Sequence, residues 1–316
     1  MKILITGGAG FIGSHTQDKL IELGHEVAIL DNFSSGKREY VNPDSKVFEV
    51  DLCKKEQVVS MVTEFSPEVV FHLAAQISVP YSMEHHFEDQ QVNILGTMNL
   101  MEACAATGVK KVIYSNTGGA LYGDVRPEDL PVTEDFPVLR PSSFYGVSKA
   151  CAEAYIKLYA NIYGFNWVSL RYANVYGPRQ DGSKETGIVA IFTKKLLENE
   201  QPTINGSGQH SRDYVFIEDI VEANLKALEY SQNDYFNISS GTTVTNSEVF
   251  EVIEGELNTG IKPVRGPERL GDPFTVSLSP QKAKKRLGWE QKVTFQEGVR
   301  KTIKYYKKRI TSLVLQ

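Results

Sequence analysis

The chain has 316 residues, 41% of them hydrophobic, with 34 basic against 39 acidic side chains and a net charge of −5. That length suits one large or two ordinary domains with ample core; the mild acidity without a basic stripe argues against a nucleic-acid partner, and no apolar run approaches bilayer-spanning length, which argues against a membrane one. Three cysteines, Cys53, Cys104 and Cys151, without C-x-x-C spacing indicate neither a disulfide framework nor a zinc site, and a glycine turn starting at residue 7 leaves no room for a signal peptide, so a cytoplasmic chain is expected.

Short apolar runs at Lys2 to Thr6, Val27 to Leu30, Val47 to Val50, Val69 to Leu73, Lys111 to Ser115 and Trp167 to Leu170 read as buried parallel strands. Helix-length amphipathic stretches lie between them. Gly13 to Leu23 stops at Gly24, Lys55 to Phe65 stops before Pro67, and a long segment from Phe87 to Thr107 stops at Gly108. This alternation predicts a Rossmann-type doubly wound α/β sheet over 1–174. After Asn174 the rhythm becomes irregular, with loop-rich stretches near Gln180 to Gly187 and Asn205 to Arg212. A smaller C-terminal α/β substrate lobe is therefore expected over 175–316, with a return to the sheet near 213–240, where Tyr235 to Ser239 reads as a strand.

The opening GGAGFIG, Gly7 to Gly13, follows a strand and starts a helix, the context in which such glycines bring backbone N–H groups against a pyrophosphate. Asp31, at the end of the second strand, is placed to accept hydrogen bonds from ribose hydroxyls and to repel a 2′-phosphate, which favours NAD over NADP. Lys37 and Arg38 in the next loop are either phosphate ligands or ordinary solvated charges, the second being preferred. Asp51-Leu52 reaches toward an adenine edge or caps a helix. At the end of the fourth strand, His72-Leu73-Ala74-Ala75-Gln76 offers small residues where a flat cofactor must pass, and His72 itself reads as a packed histidine. His85-His86 lacks metal-ligand spacing and reads as a helix cap. Asn93 is either an exposed helical residue or one that fixes a catalytic loop.

Tyr145 and Lys149 form Y-x-x-x-K, a spacing that stacks both side chains on one helix face. A free phenol titrates near about pH 10, and a cation within about 4–6 Å lowers an acid's pKa by roughly 1–3 units, so Lys149 is expected to make Tyr145 acidic enough to act as a base. Alone the motif is weak, and two surface residues of an amphipathic helix satisfy it equally. A dinucleotide cradle one domain upstream gives it weight.

Together GGAGFIG, Asp31-Asn32, HLAAQ (72–76), SNTGGALYG (115–123), Tyr145-x-x-x-Lys149, RYANVYGPR (171–179) and RDYVFIED (212–219) make the chain resemble the extended short-chain dehydrogenases/reductases that modify nucleotide sugars, most closely the UDP-glucose 4-epimerases. The resemblance spans nearly all of the chain. It implies that Gly7, Gly10, Phe11, Ile12, Gly13, Asp31, Asn32, Ser35, Gly36, Asp51, Leu52, Leu73, Ala74, Ala75, Gln76, Asn93, Ser115, Tyr145, Lys149 and Tyr172 line NAD. It implies that Thr117, Tyr145, Asn174, Val189, Arg212, Arg269, Asp272 and Val276 face a UDP-hexose, with Tyr145, Lys149 and Thr117 catalytic. Dehydratases and decarboxylases of the superfamily carry acids where this chain reads Thr117-Gly-Gly-Ala-Leu-Tyr122, so oxidation and return at C4 is the chemistry implied. Relatives pair the helices of Phe87 to Thr107 and Ser143 to Tyr163 across a homodimer. They also place a size-selecting residue at the position of Val276, where it either gates an N-acetyl group at C2 or merely packs in the lobe. One departure is Ser279 where relatives usually have Asp; both cap helices well, and Pro280 suits the first helical position.

Overall fold

A computed structural model describes residues 1–138, 141–182, 187–268 and 273–314, with side chains through 311. The first half alternates as the periodicity requires: β1 (Lys2–Thr6), α1 (Phe11–Glu22), β2 (Glu26–Asp31), β3 (Lys46–Glu49), α2 (Lys55–Phe65), β4 (Val69–His72), α3 (Val79–Glu84), α4 (His86–Gln90), α5 (Gly96–Thr107), β5 (Lys111–Thr117), α6 (Phe144–Tyr163) and β6 (Asn166–Tyr172). The second half holds β7 (Asn174–Tyr176), α7 (Ile188–Leu197), β8 (Thr203–Asn205), β9 (Ser211–Arg212), β10 (Tyr214–Phe216), α8 (Ile217–Glu229), β11 (Asp234–Ile238), β12 (Val244–Thr245), α9 (Asn246–Leu257), β13 (Val264–Gly266), β14 (Thr275–Val276) and α10 (Phe295–Val314).

Seven strands form one parallel sheet in the order β11-β6-β5-β4-β1-β2-β3. Because successive side chains point to opposite faces, Ile3 and Ile5 enter one core while Leu4 enters the other. The first core runs from the sheet into the C-terminal half through Phe216, Phe236 and Trp289. The second lies beneath α2, α5 and α6 and holds Val58, Leu100 and Ile156. The expected strand near Tyr235 is β11, which pairs with β6 and joins the sheet as its edge.

Two elements differ from expectation in ways that shape the site. β5 and β6 extend to Thr117 and Tyr172, whereas β4 stops at His72 opposite Tyr114. β5 therefore outruns β4, leaving backbone from Ser115 to Thr117 without a partner strand on that side. The segment from Phe87 to Thr107 is not one regular α-helix. Between α4 and α5 the residues Gln91–Leu95 form a π turn, all in right-handed helical geometry, which widens the helix and buries Asn93 to 2% exposure. A wide turn of this kind leaves no mark on hydrophobic spacing and recurs at functional sites.

The turn after Ser279 forms, ending at Gly288, and Trp289 donates its indole N–H to the Asp219 carbonyl at 2.7 Å. All three cysteines are free. Among the described residues no helix is long and apolar enough to cross a membrane, and no cluster of His, Cys, Asp or Glu could hold a metal ion.

Candidate active site

The glycine turn packs tightly enough to exclude side chains. Gly7 has φ +70°, and a Cβ there would stand 2.8 Å from the Ala74 backbone; a Cβ on Gly13 would stand 2.2 Å from the Gly7 carbonyl oxygen. Gly10 caps α1 without any side-chain cap, so Phe11, Ile12 and Gly13 present first-turn N–H groups at the positive end of the helix, an arrangement that suits a pyrophosphate. Asp31 is 7% exposed and held rigidly: its Oδ2 accepts the Ala9 N–H and its Oδ1 the Phe33 N–H, both at 2.9 Å. Burial raises its pKa, which those two bonds oppose. Gly36 lies against that carboxylate, where a Cβ would be 2.8 Å from Oδ1. Asn32 donates to Asp51 at 3.2 Å, and Leu52 is buried, its carbonyl taken by Asn99. Lys37 pairs with Asp181 at 3.8 Å and Arg38 with Glu49 at 2.6 Å, so both cations beside the ribose end already face acids. The cradle fits a dinucleotide without a 2′-phosphate.

A buried relay ties this cradle to the π turn. The Ala74 N–H donates to Thr6 Oγ1, which lies 2.8 Å from His72 Nδ1, while His72 Nε2 lies 2.9 Å from Thr97 Oγ1. Thr97 gives its only hydroxyl proton to the Asn93 carbonyl. It must therefore accept from His72, which fixes the imidazole as the neutral Nε2–H tautomer with Thr6 donating to Nδ1. Burial, reinforced by Lys149, lowers the His72 pKa to about 3. His72 is thus the packed histidine expected. Asn93 fixes the strand-end loop: its Oδ1 accepts the Gln76 N–H at 2.9 Å, and its amide donates to the Gln76 carbonyl, Asp89 and Ser148.

Lys149 is 3% exposed; its ammonium donates to the Ser115 carbonyl at 2.7 Å and lies 4.3 Å from the Tyr114 ring centroid. Burial lowers its pKa to about 7, against the pull of Asp89 and Glu153. The expected acidification of Tyr145 by Lys149 is corrected here. Burial pushes the phenol above its ordinary range, and the opposing pull comes from a Thr117 hydrogen bond, because the ammonium is engaged by Ser115 and Tyr114 instead. Thr117 Oγ1 also accepts the Ala120 N–H at 3.2 Å, which leaves its proton for Tyr145.

The other expected residues are distributed as follows. Leu73, Ala74 and Ala75 line the half-buried end of β4 beside Gly7, and Ser35 sits in the exposed loop before Gly36. Tyr172 is buried and donates to Asn224 at 2.5 Å while its hydroxyl also meets Ser115. Asn174 faces the space above Gly119, where an added Cβ would lie 3.8 Å from its Oδ1. Val276 pairs with Arg212 across the β14–β9 ladder and lines a narrow crevice with Gly118 and Gly119, so it is brought to the Thr117 side of the cleft. Val189 is fully buried in the first turn of α7, backbone included, so the expectation that it faces the substrate is not met in this structure. Arg269 and Asp272 lie outside the described residues. His85 stands between α3 and α4, stacked on Tyr81 and 3.0 Å from Glu88.

Sequence reasoning missed Ser82, whose Oγ accepts the Tyr145 N–H at 3.1 Å, and it missed Asp89, Ser148, Asn116 and Glu153. Only Glu153 left a signal: four residues beyond Lys149, it continues the buried stripe with a carboxylate that demands a cationic partner.

The sequence profile of the NAD dependent epimerase/dehydratase family matches residues 3–239. The chain belongs to that family. A family relative named putative UDP-glucose 4-epimerase, from Methanocaldococcus jannaschii, is 39% identical over 305 residues, covering 96% of this chain and 98% of that protein. The crystal structure of UDP-glucose 4-epimerase with UDP-glucose from Thermotoga maritima superposes with a TM-score of 0.95 at 44% identity, covering 98% of this chain and 100% of that one. That of the Thermus thermophilus UDP-glucose 4-epimerase in complex with NAD does so with a TM-score of 0.92 at 44% identity, covering 97% and 99%.

The buried groups predict an acid-labile fold. His72 has a folded pKa of about 3 against an ordinary 6.5, and Glu153, which burial would raise but Arg171 and Lys157 hold down, about 2 against 4.5. Both are depressed, so their stabilisation is complete above the ordinary values and is lost as pH falls toward the folded ones. Asp213, whose carboxyl burial raises to about 6, opposes the His72 effect as pH falls from about 6 toward about 4, so His72 is followed by its own imidazole NMR signals: they should stay those of a neutral ring down to about pH 4, and a ring that titrates near 6.5 would contradict the assignment.

Proposed function

We propose that this chain is a UDP-glucose 4-epimerase, interconverting UDP-galactose and UDP-glucose through a 4-keto sugar, and that it acts in the cytoplasm, in galactose metabolism, as a homodimer. The cofactor is NAD. The observation that carries the reading is the buried Lys149, held by the Ser115 carbonyl at the end of β5, with the Tyr145 phenol one helical turn away beside Thr117 and the dinucleotide cradle. When bound, NAD supplies a hydride acceptor and donor and, in its oxidised form, a positive charge.

Tyr145, as the phenolate that the positive charge of oxidised NAD would favour, takes the proton of the sugar 4-hydroxyl and returns it once the keto sugar has turned over; with the hydride returned as well, no external reductant is consumed. Thr117, beside Tyr145, holds that hydroxyl in line. Lys149 would hold the ribose next to the nicotinamide. No carboxylate stands between Thr117 and Tyr122, so the site has no acid in place to expel water from C6. Asn174 and Arg212, together with Arg269 and Asp272 as the family resemblance implies, hold UDP, and the hexose stays free to rotate. Tyr145→Phe should keep fold and NAD yet lose about 10²–10⁴-fold in epimerisation rate, measured by conversion of UDP-galactose. More than half the normal rate in that variant would remove Tyr145 from its role.

A second substrate is favoured by Val276. Its side chain, which lines the narrow crevice with Gly118 and Gly119, is much shorter than the tyrosine that would block an N-acetyl group. UDP-galactose should be preferred, with UDP-N-acetylgalactosamine turned over slowly. In Val276→Tyr the N-acetyl activity should fall selectively; equal loss on both substrates, or none on either, would discard the gate.

The homodimer is supported by apolar side chains left in solvent on neighbouring helices: Met83, Phe87 and Leu95 along α3 to the π turn, and Val147, Leu158 and Ile162 on α6, with Phe87 at 70% and Ile162 at 64% exposure. Exposed apolar side chains on neighbouring helices call for a partner, and a second copy using the same helices closes a two-fold dimer. Light scattering should give twice the 35.3 kDa chain mass; a monomer at micromolar concentration would contradict it.

A further inference from the structure

Asn116 takes no part in the site as described, yet it bonds directly to the backbone of Thr117. It is 3% exposed and sits opposite Arg171 on the adjoining strand, both side chains turned toward α6. Its Oδ1 accepts the Thr117 N–H at 2.8 Å, and its Nδ2 donates to Glu153 Oε2 at 2.8 Å. That backbone N–H belongs to the stretch of β5 with no β4 residue beside it, so without Asn116 it would be unpaired.

Glu153 is a fixed anchor for this contact. Its Oε1 accepts Arg171 Nη2 and Lys157 Nζ, both at 2.8 Å, and its Oε2 accepts Ser169 Oγ at 2.7 Å and Arg171 Nε at 3.2 Å as well as Asn116. Arg171, 2% exposed, also donates to the Tyr122 hydroxyl, which donates to Asn237. A carboxylate with this many partners cannot shift without breaking a buried ion pair, a strongly unfavourable change. Glu153 also lies on α6, two helical turns from Tyr145. One side chain thus links the helix that carries the phenol to the strand that carries Thr117.

We infer that Asn116 is a positioning residue for the reaction: anchored on the Glu153–Arg171 pair, it holds the Thr117 backbone so that the threonine hydroxyl meets Tyr145. The inference rests on the assignment of Thr117 made above. The Ala120 N–H on Thr117 Oγ1 supplies the second point that directs the hydroxyl proton. With the Asn116 contact removed, the end of β5 is free to move relative to α6, and a displacement of about 1 Å can cost as much as a hundredfold in rate.

The test is a double-mutant cycle on UDP-galactose epimerisation with the NAD-loaded enzyme. Asn116→Ala should lower kcat about tenfold or more while KM stays within about twofold and bound NAD is retained. Thr117→Val should lower kcat by itself, and Asn116→Ala added to it should cost less than about twofold further, since there is no hydroxyl left to aim. Should Asn116→Ala fold poorly, Asn116→Ser is used in its place, its side chain being too short to span Glu153 and the Thr117 N–H. Losses that multiply in the double variant, or an Asn116 variant with normal kcat beside an impaired Thr117→Val, would overturn the inference alone. A normal kcat in Thr117→Val would overturn the role of Thr117 and the inference with it.

Discussion

A parallel strand that outruns its neighbour must find other partners for its backbone, and the site depends on how β5 does so. β4 ends opposite Tyr114, while β5 continues to Thr117. A buried backbone group left unpaired costs about 1–3 kcal/mol. The Ser115 carbonyl is satisfied by the Lys149 ammonium and the Thr117 N–H by the Asn116 amide. Two groups that the proposed chemistry uses are thus held by the same bonds that finish the sheet. This gives physical content to the rule that ligands of open α/β sheets bind beyond the carboxyl ends of their strands.

Burying Lys149 is costly, and its lowered pKa reflects that cost. What offsets the cost is local: a carbonyl, an aromatic face and the nearby carboxylates Asp89 and Glu153. The arrangement also explains why His72 must stay neutral. A second cation next to Lys149 would add repulsion in a region of low polarity, whereas a neutral imidazole with a fixed tautomer transmits hydrogen bonds between Thr6 and Thr97 without adding charge. Stability and site geometry therefore share one set of buried polar groups, and such a network tolerates little loss before its remaining members are unsatisfied.

Much of this was legible in the sequence because it follows from local rules. The glycine spacing, the acid ending β2 and the apolar runs led to the cradle and the sheet, and small residues at Leu73 to Gln76 marked the passage beside Gly7. What stayed hidden depends on pairing across long separations. Asn116 and Glu153 are 37 residues apart and meet only because α6 crosses β5. The π turn that buries Asn93 keeps a helical pattern of apolar residues, so it was indistinguishable from an α-helix. The behaviour of Tyr145 was misjudged for a related reason: spacing placed Lys149 near it, but only the fold shows that the ammonium turns toward Ser115 and that burial governs the phenol.

The central claim is that this chain inverts C4 of a UDP-hexose with a cofactor it keeps. Purified protein incubated with UDP-galactose and no added nucleotide, followed by proton NMR of the anomeric region, tests it most directly. The account predicts many turnovers to an equilibrium mixture with UDP-glucose. No conversion without added NADP or an external reductant, or accumulation of an oxidised or dehydrated sugar, would contradict it.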